Sequence, residues 1–248
     1  ADEAGQTFAS PSISTLSRGG IACPPGDATE KIMSISRNPF FSLISRQDNR
    51  LVFIGDAVHV VHVFVLEADL IRVLLMPGGG ELRFPRTWAI APGQDDVPVD
   101  GRDRFDTTGF SSPDYTFSES DEQLVIATPR LRLTIQRVGF LCRWEMPNAG
   151  PSSDGWVEVA ADHPTQGYNF GWWDDKIYHY LTRTRDEQYF GLGERSGNAD
   201  RYGQSYRMCN VDAMGYSART TDPLYKHIPF YITWRKESRL AFGLFYDT

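Results

Sequence analysis

Two glycines one residue apart, Gly191 and Gly193, follow the aromatic pair Tyr189-Phe190 and lead into a carboxylate and a guanidinium side by side, Glu194 and Arg195. Glycine at such positions permits a tight turn or the close approach of two backbones. A carboxylate presented by a Gly-rich turn has two readings. It could serve as an acid, or it could pair with Arg195 or Arg201 and hold the loop; the structural pairing is the expected role. A dinucleotide fingerprint would need a further glycine and a following helix. Here Ser196 and Gly197 follow, with no helical pattern behind them.

Other residues could do chemistry in isolation. Trp172-Trp173-Asp174-Asp175 puts two indoles beside two carboxylates. Aromatic rings stack on the apolar faces of pyranoses, so this could be a sugar platform; a sheet edge or a domain interface is the expected place for the pair. His59 and His62 sit three apart on a β-rich run, which puts them on opposite faces of a strand, a poor geometry for a shared metal. His163, His179 and His227 are scattered, and no Gly-x-Ser-x-Gly elbow accompanies the serines. Asp222 precedes Pro223 and reads as a turn or capping residue. No cofactor and no metal is implied.

The elements that must position these residues are strands. His59–Leu66 and Leu70–Met76 flank the short acidic turn Glu67-Ala68-Asp69, a hairpin signal. Val61, Val63 and Val65 share one face, and Ile71, Val73 and Leu75 another. Phe40–Ile44 reads as a first strand. Residues 78–122 are rich in loop signals, with prolines at 85, 92, 98 and 113. Strands return at Leu124–Ala127 and Leu131–Gln136, followed by Phe140–Met146, Trp156–Ala160, Lys176–Thr184, Tyr206–Cys209, Pro229–Trp234 and Ala241–Phe245. About ten to twelve short strands, and no amphipathic helix longer than two turns, predict an all-β fold, a two-sheet antiparallel β-sandwich. Residues 1–30, rich in Ser, Gly, Pro and Ala, read as a flexible lead-in, and 31–248 as the sandwich domain.

Composition narrows the partners. The chain has 248 residues, 41% hydrophobic and 13% aromatic, which supports a packed core rather than disorder. Its 25 basic against 32 acidic residues give a net charge of -7, which argues against a nucleic-acid partner. No run of about 18 apolar residues is present to span a membrane. Three cysteines, Cys23, Cys142 and Cys209, do not make a disulfide framework; one bridge or three thiols remain open, and thiols are expected. The chain opens on Ala1-Asp2-Glu3-Ala4 without an initiator methionine, which fits trimming by a signal peptidase or by cloning and leaves the compartment undecided.

Six segments in order carry a resemblance. Leu70-Ile71-Arg72-Val73 with its hairpin partner, the strand 131–136, the turn 189–195, Met208-Cys209-Asn210-Val211-Asp212, the stretch Asp222-Pro223-Leu224-Tyr225-Lys226-His227-Ile228-Pro229-Phe230-Tyr231, and Ala241–Asp247 together resemble the N-terminal β-sandwich of glycoside hydrolase family 31, the retaining α-glycosidases. The resemblance implies a large sandwich of the galactose mutarotase kind packed beside a (β/α)8 barrel. In that family two Asp residues on barrel strands act as nucleophile and acid/base, with carboxylates about 5 Å apart. A barrel of about 250 residues is expected after Thr248, so the catalytic pair matches nothing in this chain.

One functional loop does carry over. By resemblance, Asp212 would hydrogen-bond sugar hydroxyls at the barrel mouth, since a carboxylate accepts two charge-assisted bonds from vicinal hydroxyls. Tyr216 would supply an aromatic wall. The alternative for Asp212 is the capping of local loop amides. The chain is thus expected to be the non-catalytic part of an α-glucosidase-like enzyme, inactive alone, whose partners are that barrel and an α-linked sugar. Its barrel-facing surface should be partly apolar and prone to self-association. A free-standing carbohydrate-binding module is the alternative. A mutarotase-like epimerase would need a His and a carboxylate converging in a cleft.

Overall fold

The computed structural model describes residues 38–82, 84–148, 155–165, 167–170 and 177–247, and all of them belong to one unit spanning Ile35–Thr248. The lead-in 1–30, Cys23 and the Trp172-Trp173-Asp174-Asp175 run lie outside the described residues.

The chain opens with a four-stranded antiparallel meander, β1 (Phe41–Gln47), β2 (Arg50–Gly55), β3 (His59–Glu67) and β4 (Leu70–Met76). The expected hairpin is β3–β4. Its register sets Val61 opposite Leu75, Val63 opposite Val73 and Val65 opposite Ile71, so the two apolar stripes fall on the same side of the sheet. Two short strands, β5 (Arg86–Thr87) and β6 (Arg102–Asp103), pair within the loop-rich stretch that follows.

A second sheet of five strands comes next, β7 (Thr116–Glu119), β8 (Gln123–Ala127), β9 (Arg132–Gln136), β10 (Leu141–Pro147) and β11 (Trp156–Ala161), again in simple antiparallel order. The two sheets face each other across one core. Leu51, Phe53, Val61, Val63 and Val65 from the first meet Leu124, Ile126, Leu133 and Ile135 from the second, each 0% exposed. Phe140 sits between the layers, edge-on to Phe41 at 5.1 Å and to Phe53 at 5.6 Å. Burying each such side chain contributes about 1.5–3 kcal/mol. Alternation along β3, β8 and β9 is what makes one face of each sheet available for this layer. The fold is a β-sandwich.

The last third carries the functional candidates. A two-stranded ribbon, β12 (Tyr168–Phe170) with β13 (Ile177–His179), precedes a three-stranded sheet of β14 (Glu187–Gly191), β15 (Phe230–Arg235) and β16 (Leu240–Phe245). Arg235 ties this sheet to the five-stranded one by donating from Nη1 to the carbonyl of Glu158 at 2.9 Å.

Several sequence expectations need correction. The first strand starts at Phe41 and runs to Gln47, with Phe40 only bridging Val138. Strand β2 was not foreseen. Leu51, Val52 and Phe53 are all buried, so the strand shows no alternation to read. The expected strand Lys176–Thr184 reduces to Ile177–His179 plus a single bridge between Leu181 and Asp162. Tyr206–Cys209 is not a strand but part of a loop.

Candidate functional site

The glycine turn works by close backbone approach. Gly191, Leu192 and Gly193 all have positive φ, at 125°, 68° and 75°. A β-carbon on Gly191 would lie 2.7 Å from the carbonyl oxygen of Phe230, and one on Gly193 would lie 2.7 Å from that of Lys226 and 2.8 Å from the amide nitrogen of Ile228. The amides of Leu192 and Glu194 donate to Phe230 O and Lys226 O, both at 2.9 Å. The turn therefore lies flat on residues 226–230, and any side chain at Gly193 would lift it off.

Arg195 anchors the other half of the motif. Its side chain is 0% exposed and its Nη1 donates to Asp222 at 3.1 Å, while the same carboxylate accepts the amide of Arg207 at 2.7 Å. This corrects the expected pairing, because Arg195 is held by Asp222 and not by Glu194, whose side chain is exposed. Asp222, expected to turn or cap the chain before Pro223, neutralises a buried cation and accepts a distant loop amide. Tyr206 and Met208, expected on a strand, instead cover this cation: the Tyr206 ring lies 5.8 Å from it, and Met208 Sδ accepts from Arg195 Nη2 at 3.1 Å.

These contacts fix the root of a loop. Val211 N donates to Leu224 O at 3.1 Å, and Asn210 Oδ1 accepts the amide of His227 at 2.9 Å. Beyond that root the loop projects with Asp212 and Tyr216 both exposed. Among the described residues no hydrogen bond or ion pair engages the Asp212 carboxylate; only its backbone oxygen is used, by Met214 N at 3.1 Å. Local capping is thus not its role in this conformation. Tyr216 stands edge-on to Tyr225 at 6.0 Å, and Tyr225 donates its hydroxyl to Ala213 O at 3.2 Å. The two expected site residues share one loop, supported by one aromatic pair.

A groove of about 680 Å³ opens on the inner face of the β14–β16 sheet, between that sheet, residues 181–183 and the segment 201–208. Sequence reasoning did not find it. Tyr189, Tyr231 and Tyr246 line it, with Arg183, Gln204 and Ser205 at the rim. The Tyr189 hydroxyl donates to Glu187, whose other oxygen accepts from Arg235 Nε at 2.9 Å. Burial, then Glu187, pushes the Tyr189 phenol well above its usual range.

Behind the groove runs a hydrogen-bonded chain. Asp162 accepts the amide of Cys142 at 2.8 Å and faces His179 Nε2 at 2.9 Å; its side chain is 0% exposed. The carboxylate fixes the proton on Nε2, so Nδ1 is the acceptor and takes the Tyr246 hydroxyl at 2.9 Å. Tyr246 is in turn hydrogen-bonded to Tyr231, and burial followed by that neighbour raises its pKa. His179 also stacks on Tyr168 at 4.4 Å. Neither Asp162 nor His179 reaches the groove; only the two tyrosines do. The pair orients a phenol and does not form the convergent acid and base of an epimerase cleft.

His59 and His62 do fall on opposite sides of β3. His59 packs edge-on to Phe170 at 4.8 Å, and His62 packs edge-on to Phe105 at 5.0 Å. Cys142 and Cys209 are free thiols, and burial raises the pKa of Cys142.

The sheets, the sandwich core and the pinned loop define a protein class that comparison makes specific. Residues 60–248 match the family described as the glycosyl hydrolase 31 N-terminal galactose mutarotase-like domain, and the chain belongs to that family. Alpha-glucosidase 2 of Bacillus thermoamyloliquefaciens is 36% identical over 134 residues, 54% of this chain and 16% of that protein. The GH31 dextranase FjDex31A of Flavobacterium johnsoniae, solved with isomaltotriose, superposes with a TM-score of 0.62 at 22% identity, covering 86% of this chain and 22% of the dextranase. The glucosidase II alpha subunit gives 0.52 at 17% identity over 86% of this chain and 28% of its own. At these identities the superpositions speak for the fold. The chain spans between 16% and 28% of the length of these relatives.

Proposed function

We propose that this chain is the non-catalytic N-terminal domain of a retaining α-glycoside hydrolase, packing on a catalytic (β/α)8 barrel and lending the 208–222 loop to its sugar pocket. One observation carries the reading. The outer face of the β14–β16 sheet exposes Phe190, Phe230, Ile232 and Phe245 at 36%, 39%, 43% and 49%. The register sets Phe190 opposite Ile232 and Phe230 opposite Phe245, so the four form one apolar patch. The patch lies at the end of the sheet from which the loop springs, because β14 ends at Gly191 and β15 begins at Phe230. A neighbouring domain that covers the patch also receives the loop. The relatives are longer than this chain by more than such a domain needs.

In this arrangement Asp212 offers an unengaged carboxylate to the hydroxyls of an α-linked sugar, and Tyr216 a ring to its apolar face. The nucleophile and the acid/base reside on the barrel. The test is made in the whole enzyme. Asp212→Asn should lower kcat/KM for an aryl α-glucoside by about 10- to 100-fold, the worth of one or two charge-assisted hydrogen bonds. The isolated chain should show no turnover. An unchanged kcat/KM, or hydrolysis by the pure chain that disappears on mutating one of its own carboxylates, overturns the reading.

A further inference from the structure

We infer that the groove on the inner face of the β14–β16 sheet is a second saccharide-binding site, separate from the Asp212 loop. Its chemistry selects the ligand. Phenol rings line it: Tyr189 stands edge-on to Tyr231 at 5.8 Å, and Tyr206 and Tyr246 join them. Ring faces accept the apolar C–H faces of a pyranose, and hydroxyls around them bind its rim.

The carboxylates of the groove have protein partners, and its guanidiniums contact carbonyls or a ring. Glu187 is taken by Tyr189 and Arg235. Arg201 donates from Nη1 to the carbonyls of Ser196 at 3.1 Å and Asn198 at 2.5 Å. Arg183 lies over the Tyr202 ring at 4.6 Å, and Asp247 pairs with Arg104 at 2.8 Å. The ligand that the tyrosine rings fit is hydroxyl-bearing and ring-shaped. The volume, about 680 Å³, falls within the range of ligand clefts and holds more than one sugar ring.

The hydrogen-bonded chain behind the groove gives the site its orientation. The Asp162 carboxylate fixes the tautomer of His179, His179 takes the Tyr246 proton, and Tyr246 is hydrogen-bonded in turn to Tyr231. A sugar hydroxyl meets, at Tyr231, a phenol whose direction the protein has set. Gln204 and Ser205, both exposed at the rim, supply the complementary donors and acceptors. In this arrangement His179 and Asp162 are positioning residues that never touch the ligand.

The choice of α-linked probes rests on the reading proposed above; the site itself does not. Isomaltotriose and maltotriose are titrated calorimetrically into the pure chain, with the amide spectrum followed by NMR. Binding with shifts centred on Tyr189, Tyr231 and Gln204 is expected, and Tyr231→Phe, which keeps the ring and removes the hydroxyl, should weaken it by about 5- to 10-fold, the worth of one hydrogen bond. Gln204→Ala, an exposed change that cannot unfold the domain, should weaken it in the same direction. The inference is overturned if no trisaccharide binds at 10 mmol per litre (on the order of the weakest useful affinity). It is equally overturned if both variants bind as the parent does, or if Asp212→Asn abolishes binding while Tyr231→Phe leaves it intact. Silence in this experiment leaves the Asp212 reading standing, since that is judged by kcat/KM in the whole enzyme.

Discussion

Arg195 and Asp222 are joined at 3.1 Å across 27 residues of sequence, and the guanidinium has no solvent contact at all. This one ion pair clamps the glycine turn to the base of the candidate sugar loop. Removing the carboxylate strands a buried cation and frees the amide of Arg207 at once. Asp222→Ala should destabilise the domain by about 3 kcal/mol, as broken buried pairs do. Asp222→Asn retains one acceptor and should cost less, about 1–2 kcal/mol. Urea unfolding measures both; equal stability of Asp222→Ala and the parent would show that the pair contributes nothing.

Gly193 and Gly203 separate two effects of adding a methyl group. Both have positive φ, 75° and 72°, so alanine is strained at either. A β-carbon at Gly203 meets nothing within 4 Å, whereas one at Gly193 runs into the backbone of Lys226 and Ile228. Gly203→Ala should cost about 1–2 kcal/mol, the left-handed penalty alone. Gly193→Ala should cost more, about 2–4 kcal/mol, because the turn must also move. Matching losses in urea titrations of the two variants would refute the close-approach account of the turn.

His62 makes stability depend on pH. Burial first, then the cations Arg50 and Arg72, lower its pKa from 6.5 to about 4. The unfolded chain therefore binds a proton that the folded one refuses between those values. The contribution of this site is full above pH 6.5, falls as the pH drops towards 4 and changes no further below it. His62→Phe, which keeps an aromatic ring beside Phe64 and Phe105, should flatten that part of the profile. Urea midpoints at pH 7, 5.5 and 4.5 report the slope, and parallel profiles for parent and variant would remove His62 as its source.

The sandwich was legible because its patterns are local. In β3 and β4 the valines and isoleucine recur at every second position, and period two is the signature of a half-buried strand. Strand β2 escaped for the opposite reason: covered on both faces, its apolar run has no period. Tyr206 and Met208 alternate like strand residues, yet they serve to cover Arg195, a partner the alternation does not reveal.

The glycine turn divides the same way. That Gly191 and Gly193 permit close packing follows from the residue type; that they pack on Phe230 and Lys226 rather than against a ligand is decided by the register of β14 and β15. The Glu194–Arg195 neighbourhood invited a pairing that geometry refuses, since adjacent residues after a positive-φ turn point to different environments.

By itself the sequence determined the sheet-forming pattern and, through six ordered segments, the family. Both are written in residue types and short spacings. Only the tertiary structure decided that Asp222 neutralises Arg195 and that Asp162, His179 and Tyr246 form one chain behind a tyrosine-lined groove. Tyr246 lies 67 residues from His179. Contacts at that separation are set by how sheets stack and where loops close, and a linear pattern holds no record of either.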